Sequence, residues 1–347
     1  MEEKLLTFRI SHVKQETPTA KTYELEPLEE NILDFLPGQF LTFLISTEKQ
    51  EVRRSYSIVS LPGEPLKVTI QKVDNGLISR FILKSWKEGE TVVSLPPAGR
   101  FNIPAQKAVT RDIFCFAAGS GITPILPQIR NLLVQEPQSI IHLIYSNTNE
   151  NSALFLSEIE ELRNRYPNLN LIYLFSDPLI RLKERGRLSN LLTQDLVNKH
   201  LKYQKKDAIF LICGPFTYMR MLDITLISLH IPKEHLHKEN FIPQLMLSGY
   251  VSHPQYPDRN IQIRINEKLY PLKVKSGQDI LSAALQNGLP LPYSCRGGVC
   301  GTCAAICKSG KIHMSINEVL TDQDLKNGWI LTCTGYPEEE NTAIHFP

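Results

Sequence analysis

The sequence predicts a multidomain chain: an all-β first part, an α/β middle with a parallel sheet, and a small α+β C-terminal module. Three observations carry this. The 347 residues exceed the roughly 150 that one domain usually takes. The hydrophobic patterning switches from short alternating runs to strands interleaved with helical periods. Cys295, Cys300, Cys303 and Cys307 crowd into one late stretch, with Cys333 following.

Residues 1–104 hold short β-branched or alternating runs at 40–45, 56–59, 66–73 and 91–95, separated by Pro37-Gly38, Pro62-Gly63 and Asn75-Gly76. Strands at this spacing predict an antiparallel barrel or sandwich. Within residues 105–242, strands at 112–117, 140–145, 171–175 and 208–213 alternate with helices at 124–134, 154–166 and 216–229. That order predicts a parallel sheet with right-handed crossovers and ligands beyond the carboxyl ends of its strands. Residues 243–258 carry Pro, Gly, Ser and His without sustained periodicity, a linker signal. Residues 259–347 read as a hairpin around Asn266-Glu267-Lys268, a helix at 280–287 closed by Gly288, a cysteine loop, and strands near 304–306 and 330–334.

Composition excludes several classes. The net charge is +2 with no long basic block, so nothing points to nucleic acid or an anionic membrane. No run reaches the roughly 18 apolar residues of a membrane span. The first residues, Met1-Glu2-Glu3-Lys4, lack the apolar core of a signal peptide. A cytoplasmic, reducing location is expected, where a cysteine cluster is a metal or redox site before it is a set of disulfides.

Cys295, Cys300 and Cys303 stand in C-x4-C-x2-C spacing, with Cys333 as a distant fourth. This is the plant-type [2Fe–2S] spacing. Four thiolates must converge from one tight loop and one neighbouring strand. Gly297, Gly298 and Gly301 give the loop the backbone freedom to aim N–H groups at sulfur. Competing readings are zinc, which favours paired C-x2-C knuckles, disulfides, and unliganded core thiols. Cys307 falls outside the spacing and reads as an ordinary strand or core thiol, as does Cys115.

A second motif follows strand 112–117: Ala118-Gly119-Ser120-Gly121-Ile122-Thr123-Pro124. A glycine-rich turn between a strand and a helix N-terminus is an anion site suited to a dinucleotide pyrophosphate, and proline fits the first helical turn. The bland alternative is a generic turn of an α/β protein.

Taken with the cysteines, these motifs resemble a known family. Residues 259–347 are similar to a plant-type ferredoxin domain of the β-grasp fold. Arg54-Ser55-Tyr56-Ser57 resembles the R-x-Y-S flavin motif of the ferredoxin–NADP reductase superfamily, whose first domain is an antiparallel β-barrel. The resemblance implies that Arg54 pairs with flavin phosphate, Tyr56 packs on the ring or bonds the ribityl chain, and Ser57 reaches the ring edge. Gly76 and Ser79 would give a second phosphate contact, Ser79 beginning the next helix. Pro97-Ala98-Gly99-Arg100-Phe101 resembles the family's end-of-barrel segment, and Arg100 is assigned no role. Gly119, Ser120, Gly121, Thr123 and Pro124 would hold nicotinamide dinucleotide. Cys213-Gly214-Pro215 resembles the C-G-P segment beside the nicotinamide, and Glu239-Asn240-Phe241 the E-x-F ending at the flavin–nicotinamide junction. A solvated loop carboxylate is the alternative for Glu239. Ser57, Cys213 and Glu239 are the expected catalytic residues.

The implied cofactors are FAD in preference to FMN, NADH or NADPH, and a [2Fe–2S] cluster on Cys295, Cys300, Cys303 and Cys333. Many relatives place an arginine near Thr148. Its absence favours NADH, although Arg181, Arg185 and Arg187 could compensate. The module order resembles the reductase components of multicomponent oxygenases, most nearly the phenylacetyl-CoA epoxidase type, so the expected partner is an oxygenase or hydroxylase. A reductase for another acceptor, such as a hybrid-cluster protein or a desaturase, is the second reading, and a non-catalytic redox sensor the third. Residues 259–347 carry nine Lys/Arg and eight Asp/Glu, a near-neutral balance suited to a tethered carrier held at around millimolar effective concentration.

Overall fold

The computed structural model describes residues 5–29, 33–46, 51–73, 76–107, 109–179, 186–241, 254–265 and 267–346. Among them the first sheet runs β1 (Leu6–Thr17), β2 (Ala20–Pro27), β3 (Phe40–Ser46), β4 (Glu51–Ser57), β5 (Leu66–Gln71) and β6 (Thr91–Ser94). The strands pair antiparallel in the order β4-β3-β6-β1-β2-β5. A bridge between Ile58 and Val68 joins the two outer strands, so the sheet closes as a barrel rather than splitting into a sandwich. Period-two alternation sends Phe8, Ile10, Leu41, Phe43, Val68 and Ile70 inward, each 1% exposed or less. Trp86 packs edge-on against Tyr23 and Phe43.

The helix α1 (Leu77–Ser85) leaves the barrel with Gly76 at its N-cap. This corrects the expectation for Ser79, which lies inside the first turn and not at its start. Its hydroxyl accepts from the Val73 amide at 3.0 Å and so braces the preceding loop. Asn75 lies outside the described residues.

The second sheet is β7 (Asp112–Ala118), β8 (Ile140–Asn147), β9 (Leu169–Phe175), β10 (Ile209–Cys213) and β11 (Leu236–Glu239), all parallel, in the order β11-β10-β7-β8-β9. β7 and β10 are buried almost continuously, as strands covered on both faces must be. Helices α2 (Ile122–Gln135), α3 (Leu156–Arg165), α4 (Asn190–His200) and α5 (Phe216–Ser228) make the crossovers. The strand order reverses between β7 and β10, and a ligand crevice opens beyond their carboxyl ends.

Buried polar groups fix this domain internally and against the barrel. At the far end of the sheet, Asp112 accepts from the Lys202 and Tyr203 amides at 2.9 and 2.7 Å and meets His142 Nε2 at 2.9 Å. Burial raises the Asp112 carboxyl, but these bonds outweigh it and hold the group below the usual carboxylate range. Nearer the barrel, Arg111 pairs with buried Glu136 through Nη2 at 2.6 Å and Nε at 3.2 Å. Gln128 on α2 accepts from the Ile103 amide at 3.0 Å and donates to the Phe101 and Pro124 carbonyls at 2.9 and 3.1 Å. A side chain at Gly38 would sit 1.9 Å from the Phe101 oxygen. The turn Pro37-Gly38 therefore seats directly on this junction.

The third unit has β12 (Arg259–Ile265), β13 (Lys268–Val274), β14 (Ala304–Ser309), β15 (Ile312–Met314), β16 (Trp329–Leu331), β17 (Gly335–Pro337) and β18 (Ala343–Phe346). Five form a mixed sheet in the order β13-β12-β18-β14-β16, and β15 pairs with β17. α6 (Ile280–Gln286) buries Ile280, Leu281, Ala283 and Ala284 in this unit's core. A short helix α7 (Asp322–Lys326) precedes β16. Of the expected linker, residues 243–253 lie outside the described residues, as does Asn266 of the hairpin. No helix among the described residues is long and apolar enough to cross a membrane.

Candidate functional site

The structure brings Ser57, Cys213 and Glu239 together although they come from three strands of two domains. Ser57 ends β4, and Cys213 and Glu239 are register partners at the carboxyl ends of β10 and β11. All three are buried: 4%, 0% and 8% exposed. Glu239 is not a solvated loop carboxylate. Burial pushes its carboxyl up to about 8, partly opposed by a hydrogen bond with the Ser57 hydroxyl. Burial, and then the charge of Glu239, drive the Cys213 thiol well above its ordinary value. At neutral pH this is an uncharged thiol beside a protonated acid. Glu239 Oε2 is buried with no hydrogen-bond partner among the described residues. An orphan acid oxygen is costly unless a ligand completes it, and the polar edge of a flavin or nicotinamide ring fits that need.

The glycine turn locks against this corner. Gly119 has φ +55° with nothing within 4 Å of where a side chain would stand, leaving open space beside the helix entrance. Gly121 is glycine for a different reason: a Cβ there would lie 2.1 Å from the Cys213 carbonyl oxygen. The turn and the Cys213-Gly214-Pro215 segment thus abut. Ser120 is half-buried, and the Thr123 hydroxyl donates to the Ser120 carbonyl at 2.9 Å. Pro124 is buried in the first turn of α2, where no backbone N–H is missed. A helix N-terminus with free amide groups, as at α2, suits an anion.

On β4 the Arg54 guanidinium is exposed and donates to the Arg53 carbonyl at 2.7 Å, and half-buried Tyr56 lies 6.2 Å from the Phe43 ring. Burial raises the Tyr56 phenol, leaving a neutral hydroxyl. Gly76 is half-buried and Phe241 is 46% exposed. After β8, Asn149 is committed to a reciprocal cap with Ser152, and Glu150 Oε2 accepts from the Leu179 amide at 2.9 Å. Arg181 and Arg185 lie outside the described residues.

The four motif cysteines interact in pairs, Cys295 with Cys300 and Cys333, and Cys303 with Cys333. Cys303 and Cys333 are buried, Cys295 and Cys300 half-buried. Hydrogen bonds from Cys300 and Cys333, then from the Gly297 and Val299 amides, hold Cys295 far below its ordinary thiol value. A bond from Cys333 lowers Cys303, while Cys300 and Cys333 rise as the donors. The Gly297 amide lies 3.4 Å from Cys295 Sγ. Thiols this near, with amides beside Cys295, suit the donor set of an iron–sulfur centre. Gly298 turns the loop at φ +75°, with the Ile316 carbonyl 2.8 Å from where its Cβ would be. One expectation is corrected. Cys333 sits in the turn after β16 rather than on a strand, because Thr332 turns inward and its amide donates to the Cys303 carbonyl at 3.2 Å. Cys307 lies outside the cluster, its Sγ 3.4 Å from the Ser309 carbonyl.

Comparison with known proteins identifies the domains. The chain matches the oxidoreductase FAD-binding domain over residues 7–103, the oxidoreductase NAD-binding domain over 116–223 and the 2Fe-2S iron-sulfur cluster binding domain over 263–338. A component of 1,2-phenylacetyl-CoA epoxidase from Escherichia coli (strain K12) is 32% identical over 346 residues, covering 97% of this chain and 96% of that one. Phthalate dioxygenase reductase superposes with TM-score 0.61 at 19% identity over 99% of this chain and 98% of its own. An intact type IV self-sufficient cytochrome P450 monooxygenase superposes with TM-score 0.74 at 18% identity, and this chain spans 41% of its length. Fold, site and matched domains together define an oxidoreductase that handles FAD, nicotinamide dinucleotide and a [2Fe–2S] cluster in one chain. The chain belongs to the family of that 1,2-phenylacetyl-CoA epoxidase component.

Proposed function

We propose that the chain is the NAD(P)H-dependent reductase component of an oxygenase or hydroxylase, acting in the cytoplasm, with phenylacetyl-CoA epoxidation as the leading candidate reaction. The observation that carries it is the meeting of Ser57, Cys213 and Glu239 between barrel and parallel sheet. The proposed domains are 1–104 for flavin, 105–242 for nicotinamide and 259–347 for the cluster, joined by a linker at 243–258. When bound, NAD(P)H supplies a hydride, the flavin takes its two electrons, and the cluster passes them singly to the acceptor.

The chain's own residues prepare that transfer. Arg54, Gly76 and Ser79 hold the flavin phosphates and Tyr56 its ring or ribityl side. Gly119, Ser120, Gly121, Thr123 and Pro124 seat the dinucleotide. Gly214 and Pro215 shape the nicotinamide face, and Phe241 closes the junction. Glu239 keeps a proton in reach of the ring edge, Ser57 orients it, and the neutral Cys213 thiol packs there without repelling a hydride. Cys295, Cys300, Cys303 and Cys333 ligate the cluster. NADH is the preferred donor: no arginine stands between Ser146 and Glu150, and a carboxylate at 150 repels a 2′-phosphate.

Anaerobic titration of reconstituted protein with NADH and NADPH tests this. Flavin and [2Fe–2S] bands that bleach with NADH are expected, and a coupled turnover assay with a candidate oxygenase tests the acceptor. Protein that binds neither group after reconstitution would sink the proposal.

A further inference from the structure

One set of contacts outside the hydride site joins the barrel to the cysteine loop. On β4, Arg53 and Ser55 alternate with Arg54 and Tyr56, and they meet the third unit. The Arg53 guanidinium lies 4.2 Å from the Tyr293 ring centroid, and Arg296 covers the same ring at 4.3 Å. Arg53 Nη1 also reaches the Tyr293 carbonyl at 3.5 Å. Ser55 Oγ is 2.6 Å from Ser294 Oγ and 2.9 Å from Thr42 Oγ1. Ser294 immediately precedes Cys295. At the end of the barrel, Arg100 Nη2 pairs with Asp324 at 3.0 Å, its guanidinium covers Trp329 at 4.3 Å, and its side chain passes the Gly301 position at 3.8 Å. Arg100 Nη1 is buried with no partner among the described residues.

We infer that Arg53, Ser55 and Arg100 form a dock that holds the cysteine loop against the flavin-binding barrel, with Arg100 as its main positioning residue. The inference rests on the reductase reading only for its kinetic consequence. Arg53 and Ser55 hold the start of the loop through Tyr293 and Ser294, while Arg100 holds α7 and β16 beside it through Asp324 and Trp329. Strand β4 serves two purposes. Arg54 and Tyr56 belong to the flavin motif, while Arg53 and Ser55 face the cluster-bearing unit. The chain thereby places one cofactor site against the next through adjacent residues of one strand. Partly exposed charges make the dock weaken with salt, so the third unit can leave the barrel.

The test is charge reversal in the full-length holoprotein. Arg100→Glu should speed amide exchange in peptides 293–301 and 321–329 by about tenfold, and slow cluster reduction while NADH reduces the flavin at the wild-type rate. Adding Asp324→Arg should recover both readouts to within about threefold. Unchanged exchange in Arg100→Glu, or no recovery in the double variant, would overturn the dock. If NADH fails to reduce the flavin even in wild type, the reductase reading falls, and the exchange data still decide the dock.

Discussion

Glu239 offers a quantitative prediction. Its carboxyl titrates near 8 in the folded chain against 4.5 for an ordinary glutamate. Below pH 4.5 both states carry the proton and the residue contributes nothing to pH dependence. Between 4.5 and 8 the folded chain keeps a proton that the unfolded chain releases, so stability falls as pH rises. The slope is about 1.4 kcal/mol per pH unit, flattening above pH 8. From pH 5.5 to 7.5 this gives a loss of about 2.5 kcal/mol assignable to this one group. Glu239→Gln mimics the protonated acid and removes the titration. Urea unfolding of wild type and variant, followed by far-ultraviolet circular dichroism, should show the variant gaining about 2.5 kcal/mol on wild type across that window. A difference that stays constant from pH 5.5 to 7.5 would refute a buried, proton-bearing Glu239.

Other perturbations follow from the same geometry. Gly121→Ala drives a methyl into the Cys213 carbonyl, and should cost about 1–3 kcal/mol of stability and weaken NADH binding in fluorescence titration. Binding at wild-type affinity would contradict the interlocked turns. Cys303→Ser should abolish the [2Fe–2S] absorption and electron paramagnetic resonance signals while flavin reduction by NADH persists. Asp112→Ala strands His142 and two amides at the far end of the sheet, and should destabilise the chain by about 3 kcal/mol in thermal unfolding without altering the cluster spectrum.

Legibility in the sequence followed the range of each signal. The cysteine spacing, the glycine turn and the parallel strands are local patterns, and they can be read directly. The helix α4 escapes such a reading because its apolar stripe is broken, with Leu191 74% exposed. The short α7 had a readable start, since Thr321 and Asp324 form a capping box. Arg53, Ser55, Arg100, Asp112 and Gln128 carried no local pattern. Each has at least one partner between 25 and 240 residues away, and Arg100 is an ordinary surface arginine until Asp324 and Trp329 are folded against it. Glu239 was readable by position but not by chemistry. Its protonation depends on burial that only the assembled sheet creates.

The bonds of Gln128 bear on how such chains could be recombined. Gln128 lies far into the nucleotide half, yet two of its hydrogen bonds end on the backbone at Phe101 and Ile103, and Gly38 of the barrel leaves no room for a side chain beside them. A chimera joined at residue 104 would set this glutamine against a foreign carbonyl and amide. The barrel and the parallel sheet are therefore expected to exchange as one cassette, and the seam at which a terminal module can be swapped without rebuilding the hydride corner lies beyond β11.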